Sequence, residues 1–133
     1  MNTPVPVVRY MVMCEKVKRD PGKAHPISLI GVIGQLHRSS KGEFPRLLPE
    51  FYVFLQLTEC RGPGRARIEI RHAESDELVI RTITADLDFA TDPLAVQGLS
   101  IRIHDCSLPR AGLYDVQFWY NDAMIAQHPL QVH

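Results

Sequence analysis

The residues of this chain best equipped for chemistry are six histidines (His25, His37, His72, His104, His128, His133) and three cysteines (Cys14, Cys60, Cys106). A metal centre needs ligands whose spacing brings them to one face, as in H-x-x-x-H on a helix or C-x-x-C in a turn, and neither spacing occurs. The densest group is His104-Asp105-Cys106. Alternate residues of a strand share a face, so His104 and Cys106 could offer two ligands while Asp105 points away. No third ligand accompanies them, so they read as ordinary strand-end residues, and no cofactor is expected. The three cysteines are odd in number and widely spaced, which speaks for reduced, buried thiols rather than a disulfide framework. A Cys/His dyad assembled in space, from Cys14 or Cys106 with a distant histidine, stays open, because dyads are spatial rather than sequential.

Three further patterns fail on inspection. Asp86, Asp88 and Asp92 are spaced like the start of a calcium loop, but Thr91 stands where that loop needs glycine and Gln97 where it needs glutamate. Aspartate-mediated turns and capping of a short helical segment near 93–96 account for them. Gly62-Pro63-Gly64 lacks the Lys-Ser/Thr of a phosphate loop, and no G-x-S-x-G elbow is present.

The elements that would position such groups are strands. Tyr114, Val116, Phe118 and Tyr120 alternate with Asp115, Gln117 and Trp119, then Asn121-Asp122 supplies a turn and a second apolar run follows, so 112–132 reads as a closing β-hairpin. Residues 7–17 form a first strand, with Val8, Tyr10, Val12 and Cys14 expected on one face. The continuous apolar run 27–36 reads as a strand covered on both faces, its Gly31 and Gly34 marking a bulge or close approach. The connection 37–50 should cross between sheets, with Phe44, Leu47 and Leu48 plugging one end of the core. Residues 51–57 form a central strand with Phe51, Val53, Leu55 and Leu57 on one side and Tyr52, Phe54 and Gln56 on the other. Residues 65–84 form a second hairpin, in which Ala66, Ile68 and Ile70 point inward and Arg65, Arg67, Glu69 and Arg71 outward. That outward stripe reads as a solvated face guarding an exposed or edge strand rather than as a phosphate-contact surface. Residues 98–105 add one more strand.

About eight short strands joined by Gly-, Pro- and Asp-rich turns, with at most one short helical segment, predict an all-β fold. The long connections at 38–50 and 85–97 favour an antiparallel β-sandwich, Greek-key or immunoglobulin-like, over an up-and-down barrel. A length of 133 residues suits a single domain over 1–133, with 1–6 expected to be flexible.

Across residues 8 to 132 the chain resembles a group of small bacterial proteins of unknown function, through Tyr10-Met-Val-Met-Cys14, Gly22-Lys23, Ser28-Leu-Ile-Gly31, Phe44-Pro45, Leu48-Pro49 and Gly112-Leu-Tyr-Asp-Val. These are turn and core residues, so the resemblance implies an all-β fold and carries no catalytic residues. More weakly, Gly-x-Tyr and the closing hairpin resemble the last strands of immunoglobulin-like domains.

Fifteen basic residues balance fifteen acidic ones, so no overall field favours nucleic acid or an anionic membrane, and a neutral chain is prone to self-associate. No run of about 18 apolar residues and no leader-like start are present, which predicts a soluble, cytoplasmic protein without a membrane partner. The function expected is a non-catalytic module binding a protein partner or its own copy. Its candidate surface is Trp119 and Gln117 together with Tyr52 and Phe54, if their strands are neighbours. A metal- or thiol-dependent hydrolase and a carbohydrate-binding module using Trp119 and Tyr120 are the alternatives.

Overall fold

A computed structural model describes residues 5–24, 26–88 and 94–133. Twelve strands follow one another: β1 (Val7–Arg19), β2 (Ile27–Val32), β3 (Gln35–Leu36), β4 (Arg46–Leu47), β5 (Phe51–Thr58), β6 (Pro63–His72), β7 (Leu78–Arg81), β8 (Ala85–Asp88), β9 (Gln97–Ile103), β10 (Ser107–Leu108), β11 (Gly112–Tyr120) and β12 (Ala123–Val132). One sheet has the order β2-β1-β5-β9; the other runs β3-β12-β11-β6-β7, with β8 also on β6. The short pair β10-β4 stands apart. The chain passes from the first sheet to the second between β2 and β3, β5 and β6, and β9 and β11, and returns before β5 and β9. That is the crossing pattern of an antiparallel β-sandwich. Among the described residues there is no helix; the helical segment expected near 93–96 begins at a residue outside them, and 94–95 form a turn and bend.

The inner faces follow the period-2 pattern closely. Phe51, Val53, Leu55 and Leu57 of β5 meet Ala66, Ile68 and Ile70 of β6 and Tyr114, Val116, Phe118 and Tyr120 of β11, all 4% exposed or less, in one hydrophobic core. Asn121 and Asp122 join β11 to β12 with φ of 48° and 64°, the left-handed pair that a two-residue hairpin turn requires. At the other end of β11 the buried Tyr114 hydroxyl donates to Arg110 O at 2.6 Å, a hydrogen bond from a core tyrosine back to the preceding corner, as in immunoglobulin-type sandwiches. Gly112, at φ 134°, lets the chain pass the His72 ring, whose Nε2 would stand 2.9 Å from any added Cβ.

Several sequence expectations are corrected. A register shift between Val8 and Tyr10 inserts one residue into β1, so the core receives Val8, Met11 and Met13, while Tyr10 is 62% exposed. The run 27–36 is not a doubly covered strand. It divides at Ile33-Gly34 into β2, an edge strand with Ile30 and Val32 exposed, and β3, which joins the opposite sheet parallel to β12. Leu48 and the half-buried Phe44 join the core, but Leu47 is 69% exposed, because the chain stays extended from β4 into Leu48, whose N–H donates to Cys106 O, and successive side chains point opposite ways. Of the lead expected to be flexible, residues 1–4 lie outside the described residues and Pro6 is buried.

The length of β1 produces a feature with no signature in the sequence. Pairing with β5 stops at Cys14↔Tyr52, yet β1 continues to Arg19 and turns through Asp20 into β2. The tip of this arm reaches back across the outer face of the first sheet, where Arg19 Nη2 donates to Gly98 O at 3.2 Å and to Ser100 Oγ at 3.1 Å. Ile27 Cδ1 and the Phe54 ring lie 3.0 Å and 3.2 Å from where a Cβ on Gly98 would stand, so glycine there lets the arm seat.

Candidate functional site

The outer face of the second sheet is built by β6, β11 and β7. Register places Glu69 opposite Gln117 on one side and Arg81 on the other, with Arg67 opposite Trp119 and Arg71 opposite Asp115. Cross-strand partners share a face, so these side chains converge. The Glu69 carboxylate is their centre. Its Oε2 accepts from Arg67 Nε at 2.7 Å and from Arg81 Nε at 3.3 Å, and its Oε1 from Arg71 Nη2 at 2.9 Å. Arg67 also donates to Asp122 Oδ1 at 2.9 Å and lays its guanidinium over the Trp119 ring, 4.7 Å from the centroid. Trp119 Nε1 in turn donates to Gln117 Oε1 at 3.1 Å.

This is not the solvated stripe that the alternation of β6 predicts. Side-chain exposure is 1% for Glu69, 16% for Arg67 and 22% for Arg71, because β6 lies inside its sheet and long arginine stems fold over the carboxylate. Burial pushes the Glu69 pKa up, but the hydrogen bonds from Arg67 and Arg71 and the charge of Arg81 outweigh it, so the carboxyl titrates below its ordinary value. The hydrogen bond to Glu69 likewise raises the Arg67 pKa against desolvation. The result is a surface whose Arg67, Arg71 and Trp119 side chains are each held by contacts within the chain.

The four residues expected to form one surface are divided between two. Gln117 and Trp119 sit together on the second sheet; Tyr52 and Phe54 occupy the outer face of the first, on the far side of the sandwich. Phe54 is 6% exposed beneath the β1–β2 arm, and the Tyr52 hydroxyl donates to Glu50 Oε1 at 3.1 Å. The neighbouring-strand condition for a joint aromatic patch is not met, since β5 and β11 belong to different sheets. Tyr120 is fully buried. His104 and Cys106 do not share a face either: the strand ends at Ile103, Asp105 takes φ 55°, and Cys106 turns into the core while His104 stays in solvent. Among the described residues no three His, Cys, Asp or Glu side chains are grouped to hold a metal ion. All three thiols are free and buried, and burial raises each pKa, that of Cys106 to about 11. At neutral pH they are protonated and poorly nucleophilic.

A cleft of about 960 Å³ lies elsewhere, in the fork where β1 leaves β5. Glu15, Lys16, Gly31 and Ile33 line one side, and Arg38, Arg46, Leu48 and Phe51 are among the residues of the other. Sequence reasoning missed both this cleft and the central part of Glu69. The cleft depends on the arm, and the burial of Glu69 on which strand flanks β6.

Fold and surface together define an all-β sandwich bearing a hydrogen-bonded polar face. The chain belongs to DUF6941, a family of unknown function, which matches residues 9–133. No curated protein matches it. Solved structures similar to it include the Pseudomonas fluorescens alkylpurine DNA glycosylase AlkC bound to DNA with an abasic-site analogue (10% identity, TM-score 0.44, covering 92% of this chain and 30% of that one). Another is the beta-D-glucoside glucohydrolase of Trichoderma reesei (10% identity, TM-score 0.46, covering 97% and 19%). The chain thus spans less than a third of the length of either. Among the described residues no helix is long and apolar enough to cross a membrane.

Proposed function

We propose that the protein is a non-catalytic binding module whose recognition surface is the outer face of β6 and β11, and that this face engages a second copy of the chain. The observation that carries the reading is the Trp119-Arg67-Glu69 arrangement. Tryptophan and arginine are the side chains that most often dominate binding energy, and here each is held in place before any partner arrives. Side chains that are already ordered lose little entropy on association. The face is also suited to itself. Arg65, Arg67 and Arg71 pair with Asp86, Asp122 and Asp76, and Asp115 stands opposite Arg71, so the face carries both signs of charge, and a two-fold interface demands a patch that complements its own copy. Arg67 covers one face of the Trp119 ring, which counts against stacking on a sugar. Three unpaired, buried thiols support a reducing cytoplasm as the compartment.

Light scattering across a concentration series tests the proposal. The expected mass rises from that of one 15.1 kDa chain toward twice that value. Trp119→Ser, at a half-buried surface position, should hold the protein at one chain. A wild type that stays monomeric throughout, and that Trp119→Ser leaves unchanged, overturns self-association.

A further inference from the structure

The cleft in the fork of β1 and β5 is lined by three basic side chains, Lys16, Arg38 and Arg46. Six arginines elsewhere stand in pairs with carboxylates, among them Arg67 with Glu69, Arg102 with Glu50 and Arg110 with Glu77, while Arg9 and Arg19 stand singly and donate to neutral oxygens. Among the described residues none of the three has a carboxylate partner; Arg46 Nη1 donates to the His37 carbonyl at 2.7 Å, and the Arg38 guanidinium lies beside Gly42. Of the two acids in the lining, Glu50 is already held by Arg102 at 3.4 Å and by the Tyr52 hydroxyl. Glu15 is the other, and its carboxyl group lies against Gly31, 2.7 Å from where a Cβ would be. In a chain of zero net charge this is a local excess of positive charge, and it surrounds apolar side chains, Ile33, Leu36, Leu48 and Phe51.

Main chain is available there too. The edge of β1 that pairs β5 as far as Cys14 continues past that point without a strand partner among the described residues, and Gly34 adds a stretch of backbone without a side chain to the lining. Free strand edge, apolar floor and unpaired cations together match one kind of occupant. We infer that this cleft binds an extended, acidic peptide segment with apolar residues between its carboxylates, the main chain lying along β1 and the carboxylates meeting Lys16 and Arg38. The volume is at the upper end of what ligand clefts enclose, enough for several residues. This site is separate from the Trp119 face and stands or falls without it.

The test uses isotope-labelled protein and three blocked hexapeptides that alternate valine with glutamate, glutamine or lysine. The glutamate peptide should shift the amides of Lys16, Gly31, Gly34 and Arg38, weaken with added salt, and leave Trp119 unmoved. The double variant Lys16→Glu/Arg38→Glu changes two exposed side chains, and it should lower affinity at least about fivefold with an unchanged melting temperature. Glu15→Gln should strengthen binding. Equal binding of the glutamine peptide, shifts located elsewhere, or no shifts at millimolar peptide each overturn the inference.

Discussion

Glu69 is the residue whose role departs furthest from what its neighbours in sequence imply. A glutamate between arginines on an alternating strand reads as one member of a solvent-facing stripe, yet it is sealed under three guanidinium groups. Removing one partner from such a cluster leaves the others uncompensated, so Glu69→Ala should cost about 2–3 kcal/mol in denaturant unfolding. Because the folded-state pKa of Glu69 is depressed, its contribution is present above the unfolded-state pKa, about 4, and is lost as pH falls through the lower folded value. The stability gap between wild type and Glu69→Gln should therefore be full at pH 7 and close toward pH 3, as measured by urea titrations at both. Tyr114→Phe deletes the 2.6 Å bond to Arg110 O and leaves that carbonyl without it, an expected loss of about 1–2 kcal/mol with the core otherwise filled. Burial holds the thiols protonated, so a disulfide reagent should label Cys14, Cys60 and Cys106 only after unfolding. Rapid labelling of the native protein would contradict that.

At the scale of elements, the closing hairpin was the most legible. Tyr114, Val116, Phe118 and Tyr120 are all fully buried, as alternation requires, and Asn121-Asp122 adopts the left-handed turn that its residue types favour. Elements whose partners are distant in sequence were less legible. The apolar run 27–36 reads as a core strand because apolar content reports a preference for burial, not which neighbour provides it. In the fold, part of that preference is met by the arm lying over Phe54 and part by β3 crossing to the other sheet. Arg19 and Ile27 are the contacts that seat the arm. Ile27→Asp should lift it, raising amide hydrogen exchange in β2 and at Phe54 while β11 and β12 keep wild-type protection. Uniform loss of protection across both sheets would mean instead that the arm is inseparable from the core.

For the molecule as a whole, composition, strand spacing and turn chemistry were enough to specify an all-β sandwich, because burying one face of a strand imposes a two-residue period that any reader can count. The same local signals identified the inward faces of β5, β6 and β11. They could not say which strands lie side by side, and each candidate site depends on that. Tyr52 and Phe54 share a surface with Trp119 only if β5 and β11 are adjacent, whereas sheet order puts them on opposite faces. Glu69 is buried because β7 and β11 flank β6, and the cationic cleft exists because β1 outruns β5 and folds back. Periodicity determined which side of β5, β6 and β11 is apolar; only the tertiary structure decided which charges meet, since pairing between strands is set by long-range packing that leaves no spacing in the chain.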